Sequence, residues 1–349
     1  MEWLGHQFNL DKMIRKALAT AREEHGHVNI LIAGRSGVGK STLINAVFQG
    51  ELASTGDGRP VTPNIREICK SGLPLSIFDS RGLEMQDFQE TLGALQTFVA
   101  QRHLERNQNQ HIHVAWVCID EGLRRVEAAE SELVKMLAHY LPVIAVITKA
   151  RADQGFQSTV QTLLPQARNV VRVRSIPELD DDGHRKEPMG LQALVALTFD
   201  LVPEGQQRAF VAAQKVDLDL KKQQAHLIVA TAAASAAAIA ATPIPFADAI
   251  LIVPVQVGML ASVGAVFGLP LSQSVLTTLL ASLVTGAGAT LMGRAIVGSA
   301  LKLIPGLGVI AGGAISAGTA ASVTTLFGEA YITVLESFNP PQPAPMTLP

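Results

Sequence analysis

Gly34-Arg35-Ser36-Gly37-Val38-Gly39-Lys40-Ser41 follows the apolar run Val28-Asn29-Ile30-Leu31-Ile32-Ala33 and precedes Thr42-Leu43-Ile44-Asn45-Ala46-Val47-Phe48. The first run reads as a buried strand and the second as a helix. A glycine-rich turn between them aims several backbone N–H groups at phosphates, and the lysine that opens the helix reaches the β and γ oxygens. Residues Gly34 to Thr42 are therefore the candidate phosphate contacts, with Lys40 the cation of the site.

Further along, Leu73-Pro74-Leu75-Ser76-Ile77-Phe78-Asp79-Ser80-Arg81-Gly82 reads as an apolar strand ending in D-x-x-G. An aspartate at the carboxyl end of such a strand can hold Mg²⁺ through a water, and the glycine N–H can meet a γ-phosphate. The two motifs in this order argue for a nucleotide domain more strongly than either alone. Strands are expected at Ile65 to Cys69, His113 to Ile119, Val143 to Thr148 and Val170 to Val173. Helices are expected at Glu90 to Arg106, Val126 to Tyr140, Gln154 to Leu164 and Leu191 to Leu201. This alternation specifies an α/β fold, a P-loop NTPase three-layer sandwich with a mostly parallel sheet. Thr148-Lys149-Ala150-Arg151 stands where a T/N-K-x-D base element belongs. Arg151 occupies the place of the aspartate; Asp153, two residues on, is the candidate to meet the base through a distorted loop. Ser175 and Ile176 supply backbone contacts to the base edge.

This motif order resembles the Era-like branch of the small GTPases over about residues 28 to 200. The resemblance implies that Lys40 contacts the terminal phosphates, Ser41 binds Mg²⁺ directly and Gly82 senses the γ-phosphate. It implies that Thr62, with Thr55 as the competing choice, completes the magnesium site beside Asp79. The bound species would be GTP or GDP with Mg²⁺, and the reaction attack of water on the γ-phosphate. Leu83 follows Gly82, so no glutamine there orients the water, and slow intrinsic turnover is expected. Gly37 stands where potassium-activated relatives carry asparagine. An ATPase on the same phosphate site and a soluble nucleotide-dependent scaffold with negligible turnover are the competing readings.

Beyond residue 226 the composition changes: from Leu227 to Gly293 the only charged residue is Asp248. The apolar blocks Phe246 to Phe267 and Leu307 to Phe327 approach spanning length at ~1.5 Å per residue against a hydrocarbon layer of ~30 Å. Thr242-Pro243-Ile244-Pro245-Phe246-Ala247-Asp248-Ala249 and Ile304-Pro305-Gly306-Leu307-Gly308 resemble the domain of unknown function 697, which implies a membrane-associated all-α region. The expected organisation is an amphipathic helix within 1–27, the nucleotide domain over 28–203 and a helical linker over 204–222. An apolar helical membrane domain over 223–335 and a proline-rich tail over 336–349 complete it. Expected partners are membrane lipid or a membrane protein, with a homo-oligomer or an activating partner.

The formal net charge of −2 over 349 residues counts against nucleic acid as a partner. Two cysteines, Cys69 and Cys118, exclude a disulfide framework. The nine histidines show no ligand spacing. The two cysteines point to a reducing setting, so a cytoplasmic nucleotide domain is expected, and Met1-Glu2-Trp3-Leu4-Gly5-His6 shows no basic start followed by an apolar core.

Overall fold

A computed structural model of the chain describes residues 15–16, 19–20, 26–49, 52, 59–70, 72–80, 88–180, 183–241, 248–268 and 317–338. It divides into two compact units, one built from residues 26–217 and one containing the helices from Leu218 onward.

The first unit is a seven-stranded sheet ordered β2-β3-β4-β1-β5-β6-β7. The strands are β1 (Val28–Gly34), β2 (Arg59–Thr62), β3 (Ile65–Cys69), β4 (Leu75–Ser80), β5 (Val114–Asp120), β6 (Val143–Thr148) and β7 (Asn169–Arg172). Strand β1 pairs in parallel with β4 on one side and β5 on the other, while β2 and β3 run antiparallel at one edge. After β1 the chain builds one half of the sheet, then crosses to build the other. The carboxyl end of β1 is therefore a topological switch point, where an open α/β sheet leaves a crevice for a ligand.

Alternation along each strand sends side chains to two apolar layers. Leu31, Ala33, Phe78, Ala115, Val117, Ala145 and Ile147 form one core with α2 (Phe88–His103), α3 (Ala128–Leu137) and α4 (Phe156–Leu163). On the other face Trp116 stacks on Phe48 at 5.7 Å and donates its indole N–H to Thr198 Oγ1 at 3.1 Å. That layer includes α1 (Lys40–Val47), α5 (Leu191–Leu201) and α6 (Glu204–Ala213). Phe210 of α6 meets Phe48 edge-on, and Gln49 N–H bonds the Ala213 carbonyl. Residues 204–213, read from sequence as the start of a linker, thus lie within this unit. The short strand β2 is not among the expected strands. A small hairpin of β8 (Glu178–Leu179) and β9 (Arg185–Lys186) follows β7, where no element was expected.

In the second unit α7 (Leu218–Ala240) packs against both α8 (Asp248–Val266) and α9 (Ala317–Phe338). Gly328 of α9 permits the approach: a Cβ there would lie 2.4 Å from Val229 Cγ2. Among the described residues no helix is long and apolar enough to cross a membrane. Residues 246–247 and 307–316 of the expected apolar blocks, the tail from 339, and Thr55 and Gly82 lie outside the described residues, while residues 336–338 of the expected tail belong to α9. Of the expected leading helix, residues 15, 16, 19 and 20 are described and are helical.

Candidate functional site: the phosphate loop and the base loops

Gly34 ends β1 so close to β5 that a Cβ would sit 2.6 Å from the Cys118 carbonyl oxygen. The chain then turns through Arg35 to Val38 and enters α1 from Gly39, whose φ of 100° lies in the left-handed region that glycine adopts without cost. No side chain caps α1. Its first-turn N–H groups, with the positive end of the helix dipole, are therefore directed at whatever anion the loop receives. Lys40 Nζ spans the loop, donating to the Gly34 carbonyl at 2.9 Å and the Arg35 carbonyl at 3.2 Å. Arg35 is held at the rim by Glu127 of the α3 N-terminus at 2.9 Å.

Asp79 pairs in register with Ile32 of β1, which brings its carboxylate to the same end of the sheet as the loop. Burial raises its pKa, opposed by the charges of Lys40 and Arg66. Its Oδ1 is buried and has no hydrogen-bond partner among the described residues. A desolvated carboxylate oxygen left open in a basic site is a place for a hard cation. Like the hydroxyls of Ser41 and Thr62, it is an oxygen donor of the type that suits Mg²⁺. Thr62 closes the β2–β3 hairpin, accepting the Asn64 N–H at 3.3 Å, and the pairing of Ile65 with Ser80 brings that turn to the Asp79 end of β4.

The base loops are tied to the phosphate loop through Thr148. Its hydroxyl donates to the Val38 carbonyl at 2.6 Å, with the Ile119 carbonyl at 3.1 Å. Lys149 takes a positive φ of 53° and pairs with Asp120 at 2.7 Å. The loop after β6 joins the segment after β7: Ala150 N–H bonds the Val173 carbonyl at 3.1 Å, and Arg174 Nε returns to the Ala150 carbonyl at 2.9 Å. Ser175 and Ile176 follow at once, with Ile176 exposed.

Sequence reasoning missed Glu121. It is 2% exposed, and its Oε2 accepts the N–H groups of Arg151 at 2.5 Å and Ala152 at 2.9 Å while Oε1 takes Arg172 Nε at 2.6 Å. Burial works to raise its pKa, but the Arg172 hydrogen bond and the two backbone donors outweigh it and hold the group ionised. Asp153, the candidate base reader, turns its Oδ1 to the Gln157 N–H of α4 at 2.9 Å and lies 3.4 Å from Arg172 Nε.

Residues 29–149 match the family described as 50S ribosome-binding GTPase. The nucleotide unit has the P-loop GTPase fold. Residues 205–345 match a domain of unknown function, DUF697, a match that begins within α6 of the GTPase unit. The chain is 32% identical over 179 residues to the tRNA modification GTPase MnmE of Desulfotalea psychrophila, covering 50% of this chain and 34% of that protein. It is 30% identical over 96 residues to Translocase of chloroplast 159 of Arabidopsis thaliana, covering 26% of this chain and 6% of that protein. The chain spans about a third of the length of the MnmE relatives it matches. A solved structure of a probable GTP-binding protein engB aligns at 18% identity with a TM-score of 0.35, over 50% of this chain and 98% of that one.

Proposed function

We propose that the chain is a GTP-binding switch and slow Mg²⁺-dependent GTPase whose nucleotide state acts on its helical C-terminal region. The observation that carries this reading is the pairing of a preformed phosphate loop with the open oxygen of Asp79. In such a site Lys40, the loop N–H groups and the α1 N-terminus stabilise charge on the phosphate oxygens as water attacks. Mg²⁺, when bound through Ser41, Thr62 and Asp79, neutralises the β and γ oxygens. Thr62 sits in an edge hairpin and Asp79 at the head of the D-x-x-G segment, so loss of the γ-phosphate is felt by both. Leu83 offers no group to orient water, and a second copy or an activating partner supplies it. Guanine is the preferred base on the order of the motifs.

Calorimetric competition among GTP, GDP, ATP and ADP with Mg²⁺ tests the reading. Guanine selectivity in the wild type and a loss of at least about 100-fold in affinity in Lys40→Ala support it, since a charged donor to phosphate is removed. A preference for ATP transfers the site to adenine. Retention of nucleotide by Lys40→Ala removes the loop from the argument. The long charge-free stretch around Asp248 supports membrane association of the C-terminal region. Flotation of the full chain with anionic vesicles checks it, and a chain that stays at the bottom of the gradient leaves the scaffold reading.

A further inference from the structure

Guanine presents its N1–H and N2–H₂ donors side by side, and a carboxylate is the side chain that accepts both. Arg151, at the expected acid position, carries donors only. Four carboxylates surround the base loops. Glu121 is interior, with both oxygens occupied by Arg151 N–H, Ala152 N–H and Arg172. Asp120 divides its oxygens between Lys149 and the Gly122 N–H. Asp153 is drawn down to the α4 N-terminus and to Arg172, a cation whose side chain is only 14% exposed. Glu178 lies in β8, three residues past Ser175, with a side chain 30% exposed. Its Oε1 is gripped by the Arg151 guanidinium, with Nε at 2.9 Å, and among the described residues its Oε2 takes no hydrogen bond. The side chain at the acid position therefore delivers a carboxylate borrowed from the neighbouring loop, with one oxygen open.

We propose that Glu178, held by Arg151, is the acid that reads the guanine edge in this chain. The inference rests on the GTP reading and assigns its specificity to an ion pair between the two base loops, in place of one aspartate. Arg151 is a positioning residue: it orients Glu178 and keeps it charged. It also explains why an arginine at this place is compatible with guanine.

The test is titration of the full chain with GDP, XDP, ADP and pyrophosphate in Mg²⁺, for wild type, Glu178→Gln, Arg151→Met and Asp153→Asn. Wild type is expected to favour GDP. Glu178→Gln is expected to lose roughly 10- to 100-fold in GDP affinity, the worth of hydrogen bonds to a charged acceptor. Pyrophosphate affinity stays unchanged, which also reports an intact fold. XDP gains on GDP, because a carboxamide N–H₂ can donate to the 2-oxo group. Arg151→Met is expected to reduce GDP selectivity in the same direction with less effect. A guanine-selective wild type whose selectivity survives Glu178→Gln, or moves only with Asp153→Asn, overturns the proposal while leaving the GTP reading standing. Loss of pyrophosphate binding together with GDP binding in Glu178→Gln also overturns it, since the residue then supports the fold. Preference of the wild type for ADP, or absence of nucleotide binding, removes the GTP reading itself before any variant is made.

Discussion

Glu121 and His113 are buried titratable residues of the GTPase unit, one at each end of strand β5. Removing the Glu121 carboxylate in Glu121→Ala orphans two backbone N–H groups and leaves Arg172 without its main partner. A loss of about 3 kcal/mol is expected, as for one half of a buried pair, together with weaker nucleotide binding because the base loop loses its anchor. Urea melts and GDP titration read the two effects; an unchanged melt would mean that water satisfies the freed groups. His113 accepts the Asn29 N–H at Nδ1 (2.9 Å), so its proton sits on Nε2, directed at the Gln108 carbonyl at 3.1 Å. Burial pushes its pKa down to about 4, and His27, bonded to Ser76, is also lowered by burial, against the pull of Glu67. The unfolded chain then binds more protons than the native one between pH 6.5 and about 4. Stability is full above pH 6.5 and falls through that window, by up to about 3 kcal/mol for a shift of this size. Thermal melts from pH 7.5 to 4 check the slope. His113→Asn, whose amide oxygen keeps the Asn29 contact, should flatten it. None of this is legible in sequence: Glu121 and His113 are held by backbone groups and by the Arg172 side chain, pairings set by the fold that leave no periodic signature, whereas Lys40 and Asp79 announce themselves by spacing.

At the scale of elements, what the sequence specifies well is whatever is long, apolar and internally periodic. The span Val143–Thr148 and the helix Leu191–Leu201 have the expected bounds, and the expected strand over Val170 to Val173 is displaced by one residue. Strand β2 escaped because it is four residues long, contains Pro60 and sits at the sheet edge, where strand propensity gives no contrast with a loop. The β8–β9 hairpin escaped because its pairing joins Glu178 to Lys186 and Leu179 to Arg185 without an apolar face. Helix packing in the second unit was legible only as small-residue composition; the specific contact is Gly328 of α9 against Val229 of α7. Gly328→Ala forces a methyl to within 2.4 Å of a Val229 methyl, so the helices separate or a rotamer is strained. A cost of about 1–3 kcal/mol is expected. Val229→Ala on the same background should recover part of it, a coupling that a double-mutant cycle measures. If the two changes add, the crossing has relaxed elsewhere and the close approach carries no energy. His226 to Glu329 at 2.9 Å and Lys222 to Glu336 at 3.4 Å flank the same seam; as exposed pairs they set register more than stability.

For the whole molecule, the informative boundary is the one between nucleotide unit and helical unit. The last expected helix places the end of the α/β domain near residue 203, well before the compositional change at residue 226, and the DUF697 match begins at residue 205. The folded chain carries the unit on to residue 217. The reason is packing that no local pattern reveals. Phe210 and Ala209 of α6 are fully buried, and Phe210 completes the aromatic layer over Phe48, itself stacked on Trp116. Lys215 N–H closes on the Val47 carbonyl at 2.9 Å, and Gln214 Oε1 accepts the N–H groups of Val216 and Asp217. Residues 204–217 thus seal the face of the sheet that supports α1, and with it the phosphate loop. A fragment spanning residues 26–217 is expected to fold and to bind nucleotide with the affinity of the full chain. A fragment ending at residue 203 uncovers Phe48 and forfeits the burial of Phe210. It should lose about 3–5 kcal/mol, as for truncation of a core aromatic, and either melt well below the longer piece or aggregate. Circular dichroism melts and GDP titration of the two fragments decide the matter. Equal stability would show that α6 belongs with the C-terminal helices. The expected difference means that the segment matched by DUF697 begins inside the nucleotide unit.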